Sequence, residues 1–442
     1  MSFEFDNQTK KDLDIFGDGK SRKSIFDFYN QTKTIGGKDY LLGLMETPLT
    51  DMEGLNHRCE LIKFLSFSGF ELQISATQFN LIEHYIRLSI PPLRNNVFDA
   101  LFQYFSYWLK PANDYYLVQT GTNQLLGLLS HLKEIIGAAV QKTLPTKLKE
   151  KIRIINNLIE VPEISTLISQ YPEMNFIKIN RLDYLFREKY KSELQAVVQV
   201  IYSLDAYISI GKVAAQNKLA FPEYSDTQNP DVSIKGLYHP LLNGAVPYDV
   251  DVSGLNNLCL LTGPNMAGKS TFLKSLGISI YISHLGFPVP AEKMKTAIYN
   301  GIVTTINLSD DMNRGHSHFY SEVKRVKDTA LKLKEKKKLF VIFDELFRGT
   351  NVKDAFDASL LIIQAFAKIN KSTFYISTHI TEVAEKLYQL TNVDFKYFDS
   401  ELMDDRPVYN YELKDGVSHE RLGMSIVKNE RIVEVLNSIA EE

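Results

Sequence analysis

The octapeptide GPNMAGKS (263–270) follows the apolar run LCLLT without a break and leads through Thr271 into an amphipathic stretch. Glycines at its first and sixth positions, then Lys and Ser, are the spacing G-x-x-x-x-G-K-[ST] of a loop that wraps its backbone around phosphate. Gly263 and Gly268 free the backbone so that successive N–H groups face phosphate oxygens at a helix N-terminus, and Lys269 adds positive charge near the outer phosphates. The Ser270 hydroxyl is placed to ligate Mg2+. A strand-like run before the loop and a helix-like run after it are the context that separates it from an accidental glycine turn. These residues therefore call for an open α/β sheet around them.

Two further apolar runs carry polar residues to where such a sheet would present them. KLFVIFDE (338–345) ends four apolar residues on Asp344 and Glu345. The aspartate suits holding Mg2+, and the glutamate suits polarising an attacking water. An Asp-Glu pair ending a strand is common as a turn or helix cap. Placed about seventy-five residues after the phosphate loop, it takes the functional reading. STFYISTH (372–379) ends on His379, at the sheet edge where open α/β folds bind ligands, and there the side chain is placed to sense the γ-phosphate. A lone histidine is more often structural, but its place at that sheet edge favours the γ-phosphate role.

The chain has 442 residues, too many for one core. With 44% hydrophobic and 23% charged residues it has the composition of a globular protein, and its net charge of −3 points to no particular partner. Two cysteines, Cys59 and Cys259, are too few for a disulfide framework. The N-terminus MSFEFDNQTKKDLDIF has no leader pattern, and no stretch of eighteen apolar residues occurs. A cytoplasmic location with no membrane partner is expected.

From about residue 20 to 215 apolar residues recur at three and four. Leu194, Val197, Val198, Ile201, Leu204 and Ile208 fall on one face, as do Leu125, Leu128, Leu129, Leu132, Ile136 and Ala139. Helical periodicity stops at AFPEYSDTQNP (220–230), and short apolar runs alternating with helical patterns follow. The expected fold is α plus α/β: an all-helical domain over 1–222, then a P-loop NTPase α/β domain over 231–442. The run KLKEKKK (332–338) reads as a solvated helix end.

LLTGPNMAGKSTFLKSLG resembles the phosphate loop of the MutS mismatch-repair ATPases, whose hallmark is the Asn-Met pair, here Asn265 and Met266. SHFYSE (317–322) is similar to the family's Ser-x-Phe-x-x-Glu segment, and FDELFRGTN (343–351) to its Asp-Glu-x-x-Arg-Gly-Thr element. Upstream, LYHPLL (237–242) is similar to the segment opening the ATPase domain, residues 201–223 to the end of a lever helix, and residues 28–49 to the start of the helical core. The resemblance implies ATP hydrolysis with Mg2+, a nucleotide site over Gly263, Pro264, Asn265, Met266, Ala267, Gly268, Lys269, Ser270 and Thr271, metal ligands at Ser270 and Asp344, and catalysis by Glu345 with His379. It implies a homodimer of ATPase domains in which Ser317 of one subunit approaches the nucleotide of the other, Phe319 is core, and Gly349 and Thr350 lie near the contact. DNA and a repair-protein partner are implied as well.

Departures from the family are equally specific. The core pattern begins within about thirty residues of Met1, so the expectation is a truncated form without the N-terminal mismatch-binding and connector domains. Residues 110–181 look helical throughout, without a strand-rich DNA clamp. Tyr248 is the aromatic nearest the expected adenine-stacking place, offset from it. Arg94, Lys142, Lys147, Lys149, Lys151 and Arg153 suit phosphate contacts, but acidic residues among them favour a solvated helix face. The rival reading is a regulatory or scaffolding ATPase acting on a protein partner without DNA. A transporter motor ranks lower, because SHFYSE is not a Leu-Ser-Gly-Gly-Gln-type helix start.

Overall fold

The computed structural model describes residues 2–17, 23–93, 113–254, 256–306, 318–403, 406–418 and 432–440. It divides into two compact units, one of Met1–Phe28, Thr47–Asn56 and Asn217–Glu442, the other of Tyr29–Glu46 and His57–Gln216. This differs from a single cut at 222–231, because the first residues belong with the sheet.

The strands, in chain order, are β1 (Glu4–Phe5), β2 (Glu223–Ser225), β3 (Val232–Leu237), β4 (Tyr248–Val252), β5 (Leu258–Thr262), β6 (Lys293–Ala297) and β7 (Gly301–Thr305). They continue with β8 (Phe340–Phe343), β9 (Thr373–Ser377), β10 (Val393–Phe398), β11 (Glu401–Met403), β12 (Arg406–Val408) and β13 (Leu413–Asp415). The main sheet runs β1-β7-β8-β9-β5-β10-β13, parallel throughout except for the antiparallel edge strand β13. Every residue of β5, β7, β8 and β9 is buried, which is why these strands show no alternation of apolar and charged residues. A second sheet, β2-β6-β3-β4, alternates buried and exposed residues along β3 and β4 and so has one solvated face. The break at 220–230 is thus more than a linker, since β2 within it pairs with β6.

The N-terminus joins this unit through β1, which lies parallel to β7. Asp6 caps the helix Asn7–Asp12, accepting the Thr9 N–H, and also accepts from Arg325 and Lys332 on the helix His318–Lys336. Asp12, buried, accepts from the Thr304 hydroxyl and the Ile306 N–H at the end of β7. Charged residues at 6 and 12 thus meet their partners some three hundred residues away.

In the other unit the described elements are helical, among them Ala76–Ile86, Asn113–Ala139, Thr146–Ile159 and Lys191–Asn217. Ser75 and Gln78 form a reciprocal capping box that starts the first of these. The stripe from Leu125 to Ala139 is buried as its spacing predicts. The helix Lys191–Asn217 goes further: from Val200 to Gly211 every residue is buried, so it runs through the centre of its unit. It is long and apolar enough to cross a membrane, and 83% of its most apolar window is buried inside the fold. Asp205 within it is buried yet satisfied, accepting the N–H groups of Lys33 and Thr34 and the Thr34 hydroxyl. Gly37 lacks a side chain where a Cβ would lie 2.3 Å from that carboxylate.

Candidate functional site

The loop 263–268 leaves β5 and ends at the helix Lys269–Ser283, which is buried around its whole circumference from Ser275 onward. Gly263 has φ +139°, and a Cβ there would lie 2.8 Å from the Phe398 carbonyl oxygen. Gly268, at φ +108°, caps the helix in a left-handed conformation, and Met266 is left-handed at +68°. Positive-φ turns of this kind are what lets successive amides face a bound anion. Lys269, 4% exposed, folds back so that its Nζ donates to the carbonyls of Gly263 at 2.8 Å and Pro264 at 2.9 Å. Burial pushes its ammonium pKa down, and the Glu345 and Asp344 carboxylates oppose that shift. Asn265, Met266 and Ser270 are exposed, and Ala267 is buried.

At the end of β8, Asp344 lies near the Ser270 hydroxyl. Burial pushes its carboxyl above the usual range, while the Ser270 and Ser377 hydroxyls draw it down, Glu345 adds to the rise and Lys269 opposes it. Glu345 stands in a left-handed turn, φ +55°, and its carboxylate accepts from Arg348 at 3.2 Å. Phe347 is left-handed too, at +62°. Two non-glycine residues in that region within three positions mark a strained loop, of the kind that persists where surroundings hold it.

A cavity of about 640 Å3 opens over the phosphate loop, a size suited to a nucleotide-sized ligand. Asn265, Met266, Gly268, Lys269, Ser270, Thr271 and Glu345 line it. Asp344 sits behind Glu345, lining a smaller adjoining cavity with Glu322. His379 is exposed and is not among the lining residues of either. Ser317 lies outside the described residues, as does Arg94. Phe319 packs on the core around the sheet, and Gly349 and Thr350 follow the strained loop.

Four more residues stand in the wall, and of these only Tyr411 lies outside the segments singled out in the sequence. Arg348, 48% exposed at its side chain, bridges both cavities. Tyr411, left-handed at φ +57° and 41% exposed, lies over Gly268, whose missing side chain admits its ring. Tyr248 also lines the cavity, but its ring is mostly spent on edge contacts with Phe272 and Phe398. His239 is buried, and burial, with Lys274 adding and Asp14 opposing, pushes its pKa down to about 4. Its Nδ1 accepts the Leu241 N–H, so the neutral ring carries its proton on Nε2. Only the segment LYHPLL pointed to that region beforehand.

Of the basic residues on 142–153, Lys142 donates to the Ser68 carbonyl, Lys147 pairs with Glu150, and Lys151 donates to Ser203 and lies over the Tyr207 ring. Lys149 and Arg153 are exposed.

A strand, a glycine-turned loop and a largely buried helix at the C-terminal edge of a parallel sheet, with an Asp-Glu pair after a nearby strand, define a P-loop-type α/β domain. Residues 259–442 match the family model of MutS domain V. The chain is 31% identical over 215 residues, 47% of its length, to the DNA mismatch repair protein MutS of Shouchella clausii, covering 24% of that protein. It is 29% identical over 237 residues to that of Anaplasma phagocytophilum (53% and 28% of the two chains), and 30% identical over 300 residues to that of Bacillus mycoides (64% and 32%). The matched stretch thus spans no more than about a third of these relatives' length.

Proposed function

We propose that this chain is a Mg2+-dependent, ATP-hydrolysing MutS-like protein that works as a homodimer in DNA mismatch repair or a related DNA transaction. The observation that carries the reading is the convergence of the phosphate loop and Glu345, at the end of β8, on one cavity, with Asp344 beside Glu345 in the adjoining one. In this reading Gly263, Asn265, Gly268 and the first amides of the helix cradle the phosphates, with Pro264, Met266, Ala267 and Thr271 completing the loop. Lys269 exchanges its loop carbonyls for phosphate oxygens. Tyr411, the more exposed aromatic, offers its face to the base.

Ser270 and Asp344 form a hard-oxygen pair that fits Mg2+, an ion that takes few protein ligands and completes its shell with phosphate and water. These two side chains would hold it, and when bound it neutralises phosphate charge. Glu345 takes the proton of the attacking water, and His379 reaches the γ-phosphate only if the exposed edge rearranges on binding. Ser317 completes the partner's site. The helix Ile432–Ala440 supports association, since Ile432, Val433, Val435, Leu436 and Ile439 on it are all exposed, an apolar surface suited to a protein contact.

The test is steady-state ATPase activity with and without Mg2+, at low and moderate salt, alone and with perfect duplex, mismatched duplex, single strand and branched junction. A Mg2+-dependent rate altered by one of these DNAs is expected. A rate indifferent to all of them favours the regulatory ATPase acting on a protein partner. The internal engagement of Lys142, Lys147 and Lys151 is the observation that favours this second reading. Absence of hydrolysis altogether removes both.

A further inference from the structure

Ser377 lies at the last position of β9, fully buried, and β9 runs between the phosphate-loop strand β5 and the Asp344 strand β8. Phe343 of β8 pairs with Ile376 of β9, so the next residue on each strand, Asp344 and Ser377, leaves the sheet beside the other. The Ser377 hydroxyl donates to Asp344 Oδ1 at 2.5 Å and accepts the Glu345 N–H at 2.8 Å. Its carbonyl accepts the Leu346 N–H at 3.4 Å. One small residue therefore grips three consecutive positions of the strained loop.

We infer that Ser377 is a positioning residue for nucleotide hydrolysis, a hydroxyl clasp that aims the Asp344 carboxylate toward Ser270 while holding Glu345 in its left-handed turn. The inference rests on the nucleotide reading above. A serine hydroxyl has one proton and two lone pairs. An ionised carboxylate can only accept and an amide N–H can only donate, so the polarity of the clasp follows from its partners. With Oδ1 taken by Ser377, Oδ2 is left for Ser270 and the metal. Glu345 keeps a turn that non-glycine residues adopt only when neighbours hold them there. Alanine at 377 would leave the Glu345 N–H and one Asp344 oxygen without this partner. Ser377 thus acts through two carboxylate residues and needs no contact with nucleotide.

The experiment compares the full-length wild type with Ser377→Ala and Ser377→Thr by three measurements: binding of a fluorescent ATP analogue in EDTA and in excess Mg2+, steady-state turnover, and thermal unfolding. Because residues behind metal ligands typically contribute 10–100-fold, Ser377→Ala should lose roughly tenfold or more of the Mg2+-dependent gain in affinity and lower kcat comparably, with metal-free affinity changed by about twofold or less. Ser377→Thr, which keeps the hydroxyl, should recover most of both. An unchanged Mg2+ gain and kcat in Ser377→Ala overturns the clasp, as does an equal loss of affinity with and without Mg2+, the mark of a merely structural role. A wild type that binds no nucleotide overturns the nucleotide reading and the clasp with it. A wild type that binds with a Mg2+ gain, beside an indistinguishable Ser377→Ala, overturns the clasp alone.

Discussion

Glu345 and Lys269 have separable tasks, so their substitutions should fail differently. Glu345→Gln keeps the shape of the site and the contact to Ser377 but loses the base. ATP binding should persist while turnover falls by about 10²–10⁴-fold, the usual contribution of a positioned base. Binding titrations beside single-turnover hydrolysis check this, and unchanged hydrolysis would sink the assignment. Lys269→Ala removes the phosphate charge and also the donor to the Gly263 and Pro264 carbonyls. Its nucleotide affinity should fall first, read by the same titration. Gly263→Ala is a test of backbone rather than charge: φ is +139° and the new Cβ would meet the Phe398 carbonyl oxygen. A loss of roughly 1–3 kcal/mol in urea unfolding is expected, together with weakened nucleotide binding. The motif residues were legible in the sequence because the loop's geometry is local, with glycine, lysine and serine within eight positions. Tyr411 and His239 were not, because each reaches the cavity from its own segment.

Among elements, the N-terminal strand and helix offer a charge-based test. Burial pushes the Asp6 carboxyl up, but the hydrogen bond and charge of Arg325, with Lys332 and the Thr9 N–H, outweigh it and hold the carboxyl far below the usual carboxylate range. A folded-state pKa below the unfolded value means that the contribution is complete at neutral pH and is lost as pH falls toward the folded value. Asp6→Asn should therefore cost roughly 1–3 kcal/mol at pH 7, the range for hydrogen bonds to charged groups. The gap from wild type should begin to close below about pH 5. Urea unfolding of both proteins at pH 7, 5 and 4 measures it, and a gap independent of pH would show that the ion pairs are not its source. That this segment belongs with the sheet was hidden, because a two-residue strand carries no periodicity and its partners lie on β7 and the helix His318–Lys336. The helix Lys191–Asn217 was legible as a helix but not as a central one, since its stripe spacing does not reveal what covers its other faces.

At the scale of the whole molecule, a homodimer joined by nucleotide predicts mass changes. Glu345→Gln, which retains ATP, should shift toward a dimer in light scattering when ATP is added, and Ser317→Ala should weaken both that shift and turnover. Normal values of both in Ser317→Ala would remove the contact across subunits. The sequence by itself determined the phosphate loop, the three buried strands β5, β8 and β9, and the position of Asp344 and Glu345. Phosphate-cradling backbone is built from neighbouring residues, and parallel strands buried on both faces are built mostly of apolar residues. Only the tertiary structure decided which residues stand beside that machinery. The pairing of β8 with β9 brings Ser377 against Asp344, the missing side chain of Gly268 admits Tyr411, and the edge of β7 takes up β1. Strand order and register join residues far apart in the chain, and no local pattern of residues encodes either.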